Sequence, residues 1–126
     1  MTLRERRRFL VVDDDVVALE VTKERLEHAG FSVVTRNSAL GTSAYIKKEK
    51  PHFVLLDVHM PGLSGDALAR LLSDGDFLPG VILHSATHRD DLAFLALGCG
   101  AIGVIEKTDD DQYFRAQLDH CLRSKR

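Results

Sequence analysis

The sequence has almost no excess of charge in either direction. Seventeen Lys and Arg stand against 19 Asp and Glu, a formal net charge of −2. No global field then favours nucleic acid or an anionic membrane surface. Cysteine is scarce. Cys99 and Cys121 lie in apolar surroundings without C-x-x-C spacing. That argues against a disulfide framework and for small core residues in a reducing compartment. No apolar run approaches transmembrane length. Residues 1–8 are basic, with four arginines and one glutamate. The apolar run that follows, Phe9 to Val12, is too short for a signal-peptide core and leads straight into Asp13. Together these absences point to a cytoplasmic protein. His52, His59, His84 and His88 show no i,i+4 pair on a convincing helix and have no cysteine beside them, which argues against zinc. Repeats and linkers are missing too. What is present is 126 residues, 44% hydrophobic and 29% charged, enough for one domain with its own core. Residues 1–8 are expected to be a loose leader to a domain over 9–126.

The most informative stretch is Phe53-Val54-Leu55-Leu56-Asp57-Val58-His59-Met60-Pro61-Gly62. A short unbroken apolar run is the mark of a strand buried on both faces, as in a parallel sheet. Asp57 then stands at the carboxyl end of a central strand, the edge where open α/β sheets bind ligands. This stretch alone is equally compatible with Asp57 capping a turn before Pro61. The rest of the chain decides between the two.

Phe9 to Val12 predicts a first strand, ending in Asp13, Asp14 and Asp15. An amphipathic helix over about Val17 to Ala29 places Leu19, Thr22, Leu26 and Ala29 on one face, and Gly30 is placed to end it in a left-handed cap. Phe31 to Thr35 is a second strand. Ser38 is expected to cap a second helix running through Lys48, stopped by Pro51. After the Asp57 strand, Ser64 or Asp66 opens a third helix. Gly80 to His84 forms a fourth strand ending at Ser85, Asp90 to Leu97 a fourth helix, and Ala101 to Ile105 a fifth strand ending at Glu106-Lys107. Asp109, Asp110 and Asp111 precede a last helix with Phe114, Leu118, Cys121 and Leu122 facing inward. Strands alternating with helices predict an α/β fold, a doubly wound sandwich built on a five-stranded parallel sheet. Right-handed crossovers bring every strand's carboxyl end to one rim.

Four of those ends carry polar chemistry: Asp13-Asp14, Asp57, Ser85 and Lys107. Converging carboxylates raise one another's pKa unless a cation is present. Mg²⁺ takes oxygen ligands, typically one or two carboxylates plus phosphate oxygens. A carboxylate can itself be a nucleophile that forms an aspartyl-phosphate, with Lys107 and the Ser85 hydroxyl binding the other phosphoryl oxygens.

With these residues in order, the chain resembles the response-regulator receiver domain of two-component signalling over about residues 8–124. The resemblance rests on Phe9-Leu10-Val11-Val12-Asp13-Asp14-Asp15, Leu55-Leu56-Asp57-Val58-His59-Met60-Pro61 with Gly65, Ser85-Ala86, and Gly103-Val104-Ile105-Glu106-Lys107. It implies a flavodoxin-like (βα)5 fold with strand order 2-1-3-4-5. It also implies Asp57 as phosphoacceptor, and Asp13, Asp14, Asp57 and the His59 backbone carbonyl as ligands of Mg²⁺. Ser85 would be the switch hydroxyl and Lys107 the phosphoryl contact. A histidine kinase or phosphotransfer protein, or a small phosphodonor, would supply the phosphate. Such a chain is a signalling phosphoacceptor rather than an enzyme, and contacts neither nucleic acid nor membrane directly. In receivers the signal leaves through the face of helix 4, strand 5 and helix 5. Ala93, Leu97 and Val104 are expected to form a small apolar patch there for a downstream partner or a second copy. Val104 stands where the family usually has Tyr or Phe, and Lys107-Thr108 where it has Lys-Pro. A trans peptide is expected at that junction, with Asp109 to Asp111 pairing with Lys107. His59 and Thr87 should flank the approach of the hydrolytic water and tune the phosphoryl lifetime. Of the rivals, a phosphohydrolase of the haloacid-dehalogenase type wants a second Asp where His59 stands. The alternative is a degenerate receiver that only binds a partner.

Overall fold

A computed structural model describes residues 7–60, 79–86 and 100–124. Five strands, β1 (Arg8–Val12), β2 (Ser32–Arg36), β3 (Phe53–Asp57), β4 (Gly80–Ser85) and β5 (Gly103–Glu106), form one sheet. All pairs are parallel and the order is β2-β1-β3-β4-β5, as expected. Three described helices accompany them: α1 (Val16–His28), α2 (Thr42–Glu49) and α3 (Asp111–Ser124). The helices expected near 64–74 and 90–97, with Thr87, Ala93, Leu97 and Cys99, lie outside the described residues.

The period-2 alternation of each strand sorts its side chains onto two faces. Phe9, Val11, Phe53, Leu55, Ile82 and Ile105 pack with Leu19 and Leu26 of α1 and Phe114 and Leu118 of α3. Leu10, Val12, Val54, Leu56, Leu83 and Val104 make a second layer with Ile46 of α2. Inside the first layer Phe9 stacks on Phe53 with centroids 5.1 Å apart, and meets Phe31 edge-on at 5.0 Å. Val104 is only 6% exposed. It belongs to the core and not to a surface patch, because a sheet covered on both faces buries alternate residues even on its outer strand.

The helix ends follow from local chemistry. The Asp15 carboxylate accepts from the amides of Val17 and Ala18 and caps α1. At its far end the Gly30 amide donates to Glu27 O and the Phe31 amide to Leu26 O. With Gly30 at φ 99°, this is a Schellman ending. Helix α2 starts three residues later than the Ser38 cap predicts. Ser38 instead takes part in a turn, its hydroxyl accepting from the Leu40 amide and its carbonyl from the Thr42 hydroxyl. Gly41, at φ 77°, then leads into the helix without a side-chain cap. The expected leader also shortens: Arg8 begins β1, and the Arg7 carbonyl accepts from the Ser32 amide. The Arg8 guanidinium reaches the Glu49 and Lys50 carbonyls at the end of α2.

Candidate functional site

The alternation that buries Phe9 and Val11, Phe53 and Leu55, and Ile105 carries on past the core. It brings Asp13, Asp57 and Lys107 to one side of the rim. Asp13 follows β1 directly, and its amide donates to the Arg36 carbonyl of the neighbouring strand at 3.1 Å. Its Oδ1 accepts from the Asp15 amide at 2.9 Å, and its Oδ2 lies 2.9 Å from the Lys107 ammonium. That contact is an ion pair off the hydrogen-bonding direction: Oδ2 is buried and makes no hydrogen bond among the described residues. Asp57 is 4% exposed. Its Oδ1 accepts from the His59 amide at 3.0 Å and its Oδ2 lies 3.5 Å from Lys107 Nζ. Asp14 is exposed, and one carboxylate oxygen each from Asp13, Asp14 and Asp57 fall within 4.8 Å of one another.

Burial pushes the Asp57 carboxyl above the usual carboxylate range, and the Asp13 charge adds to this against the pull of the His59 amide and Lys107. Burial also disfavours the Lys107 cation, but the close contact with Asp13 and the charges of Asp57 and Asp13 more than offset it, so its pKa is raised. One lysine thus faces two carboxylates, with a third alongside. An acid-rich set with an orphaned buried oxygen suits a hard divalent cation such as Mg²⁺. Among the described residues these three acids are the cluster that could hold a metal.

Ser85 ends β4 fully buried, and its carbonyl accepts from the Lys107 amide at 2.8 Å. The Lys107–Thr108 peptide is trans, as all described peptides are. Lys107 pairs with Asp13 and Asp57, not with the acidic run after it. Asp110 caps α3 through the amides of Gln112 and Tyr113, and Asp111 pairs with Arg25. His59 is exposed beside Asp57.

Three neighbours of the site escape a reading by motif. His84 is paired in register with Asp57 and is 3% exposed, and its Nε2 has no hydrogen-bond partner among the described residues. Burial, with the Lys107 charge behind it, lowers its pKa to about 3. Gln117 clasps Glu106, accepting from its amide at 2.9 Å and donating to its carbonyl at 3.2 Å. Its place three residues after Phe114 and four before Cys121, on the inward stripe of α3, is a signal that could have found it. Arg25 links α1 to the segment after Lys107. Nothing in its spacing marks it, since it lies beside the apolar face of α1.

A family model described as response regulator receiver domain matches residues 9–119. The chain belongs to that family. Transcriptional regulatory protein CseB of Streptomyces coelicolor is 32% identical over 114 residues, which cover 90% of this chain and 48% of that protein. Phosphate regulon transcriptional regulatory protein PhoB of Pseudomonas aeruginosa is 31% identical over 117 residues, 91% of this chain and 51% of that protein. The receiver spans about half the length of these curated relatives. Among solved structures, chemotaxis protein CheY4 of Vibrio cholerae superposes with a TM-score of 0.78 at 17% identity, covering 91% of this chain and 98% of that one. A response regulator receiver protein from Burkholderia phymatum gives 0.74 at 28%, covering 93% and 95%. The receiver's role is phospho-accepting, in two-component signalling. The acid cluster fits that role, and a partner-binding module independent of phosphorylation is not favoured.

Proposed function

We propose that Asp57 is the phosphoacceptor, supported above all by its carboxylate standing with Asp13 and Asp14 around one point while Lys107 reaches Asp57 and Asp13. An Asp57 oxygen attacks phosphorus in line, the bond from phosphorus to the donor's leaving atom breaks (the imidazole nitrogen of a phosphohistidine, or the acyl oxygen of acetyl phosphate), and the donor departs with the electron pair, as acetate in the second case. Asp13, Asp14, Asp57 and the His59 carbonyl would hold Mg²⁺, which when bound offsets the charge shared by Asp57 and the incoming phosphoryl group. Lys107 takes one phosphoryl oxygen and the Ser85 hydroxyl another. His59 and Thr87 flank the path of the water that later hydrolyses the acyl phosphate, so the domain takes part in its own transfer and dephosphorylation. Its phosphate comes from a histidine kinase or phosphotransfer protein in the cytoplasm, and its output is a protein contact to which Ala93 and Leu97 contribute. Incubation with acetyl phosphate and Mg²⁺ should add about 80 Da on intact mass. Asp57→Asn should abolish the gain, and Asp14→Ala should weaken Mg²⁺ binding, so that labelling needs more metal. Labelling that survives in Asp57→Asn would refute the assignment.

A further inference from the structure

Lys107 meets Asp57 only if the backbone carrying it is held, and that backbone has left the sheet. The β4–β5 register ends at Ser85 and Glu106. The Gln117 clasp holds Glu106, and the Ser85 carbonyl holds the Lys107 amide. Past this point no proline restrains the chain. A cleft of about 580 Å³ opens beside the segment, lined by Arg25, His84, Lys107, Thr108 and Asp109 among others. The segment therefore borders open space on that side. Arg25 spans the gap. Its Nη1 donates to the Thr108 carbonyl at 2.8 Å and its Nε to Asp111 at 2.8 Å. Its guanidinium stacks 5.2 Å over the Phe114 ring, and the side chain is only 12% exposed. A planar fork that makes two hydrogen bonds and a ring contact at once fixes direction as well as distance.

We propose that Arg25 is a positioning residue for phosphoryl transfer: by holding the Thr108 carbonyl it aims Lys107 at Asp57, in a loop without the restraint of proline. The inference rests on the proposed role of Asp57, and the two fail differently. Arg25→Met keeps a long apolar side chain beside Phe114 and removes the donors. It should slow phosphorylation by acetyl phosphate about three- to tenfold, each tenfold being about 1.4 kcal/mol of barrier. The Mg²⁺ concentration for half-maximal rate should not move, because its ligands hang from β1 and β3. Arg25→Lys, with a cation and one donor to Thr108, should recover part of the rate. In a Lys107→Ala background Arg25→Met should add nothing, since it acts through the lysine. Independently of any phosphodonor, Arg25→Met should shift the nitrogen NMR signal of the Lys107 ammonium. A wild-type rate in Arg25→Met, an equal slowing with and without Lys107, or an unmoved ammonium signal would each overturn the inference. A wild-type protein that takes no phosphate would overturn the role of Asp57 instead.

Discussion

His84 is a base kept neutral by its surroundings. An imidazole nitrogen without a hydrogen-bond partner among the described residues, in a desolvated layer, costs stability, and the bland substitution His84→Leu should leave the neutral-pH fold as stable or more so, because an unsatisfied buried polar atom costs about 1–3 kcal/mol. The pH response follows from the direction of its shift. Its folded pKa of about 3 lies below the ordinary 6.5, so below pH 6.5 the unfolded chain takes up a proton that the fold refuses. The stability this group contributes is present above about pH 6.5 and is lost as pH falls towards 3, about 1.4 kcal/mol per unit. Urea melts should therefore show the wild type losing about 2.5 kcal/mol more than His84→Leu between about pH 7 and pH 4.5. Parallel losses would mean that the imidazole titrates normally in the folded state. The motif-bearing residues Asp13, Asp57 and Lys107 were legible because Asp13 and Asp57 each end an apolar run and Lys107 follows one by a single residue. His84 also ends one, but a histidine there reads as a possible ligand, and its burial depends on Phe114, whose ring is 6.1 Å away from a helix distant in sequence.

At the scale of elements, the close approach of α3 to β5 depends on Gly103. A Cβ built there would lie 2.5 Å from Cys121 Sγ, and that thiol points at the Val104 carbonyl at 3.6 Å. Gly103→Ala must push the helix away from the strand and with it Gln117 and its clasp on Glu106. A loss of about 1–3 kcal/mol is expected from such overpacking, read in thermal melts. Gly103→Ala with Cys121→Ala should recover part of it. A neutral Gly103→Ala would show that α3 has room to shift. The strands were readable from the sequence to within a residue or two, because runs such as Val54-Leu55-Leu56 admit few other readings. Helix α2 was not, because Ser38 serves a turn as readily as a cap, and the choice is settled by Arg36 reaching the Leu40 carbonyl and the Thr42 hydroxyl. Val104 misled for a similar reason: its exposure depends on what covers the sheet, which strand patterning does not state.

For the whole molecule, the acid cluster sets function against stability. The raised Asp57 pKa means that its charged form is disfavoured in the fold, chiefly by burial. For a group shifted in this direction, stability is fullest below the unfolded pKa and is lost as pH rises through the folded one. At neutral pH and without metal, Asp57 is therefore a net cost, and Asp57→Asn should be the more stable protein. Mg²⁺ reverses the balance. A cation that binds only the folded chain stabilises it by RT ln(1 + [L]/Kd), about 2.7 kcal/mol when free metal is a hundredfold above Kd. The gain should be largest in the wild type and smaller in Asp57→Asn and Asp13→Asn, which have each lost a charged ligand. Thermal melts of the wild type and Asp57→Asn across a Mg²⁺ titration should therefore converge, with Asp57→Asn ahead in chelator and its lead shrinking as metal is added. The slope of the wild-type curve against log metal concentration gives the number of ions bound. Two curves that stay parallel throughout would mean that Asp57 is not a ligand, and the cluster of Asp13, Asp14 and Asp57 would then owe its compactness to Lys107 alone.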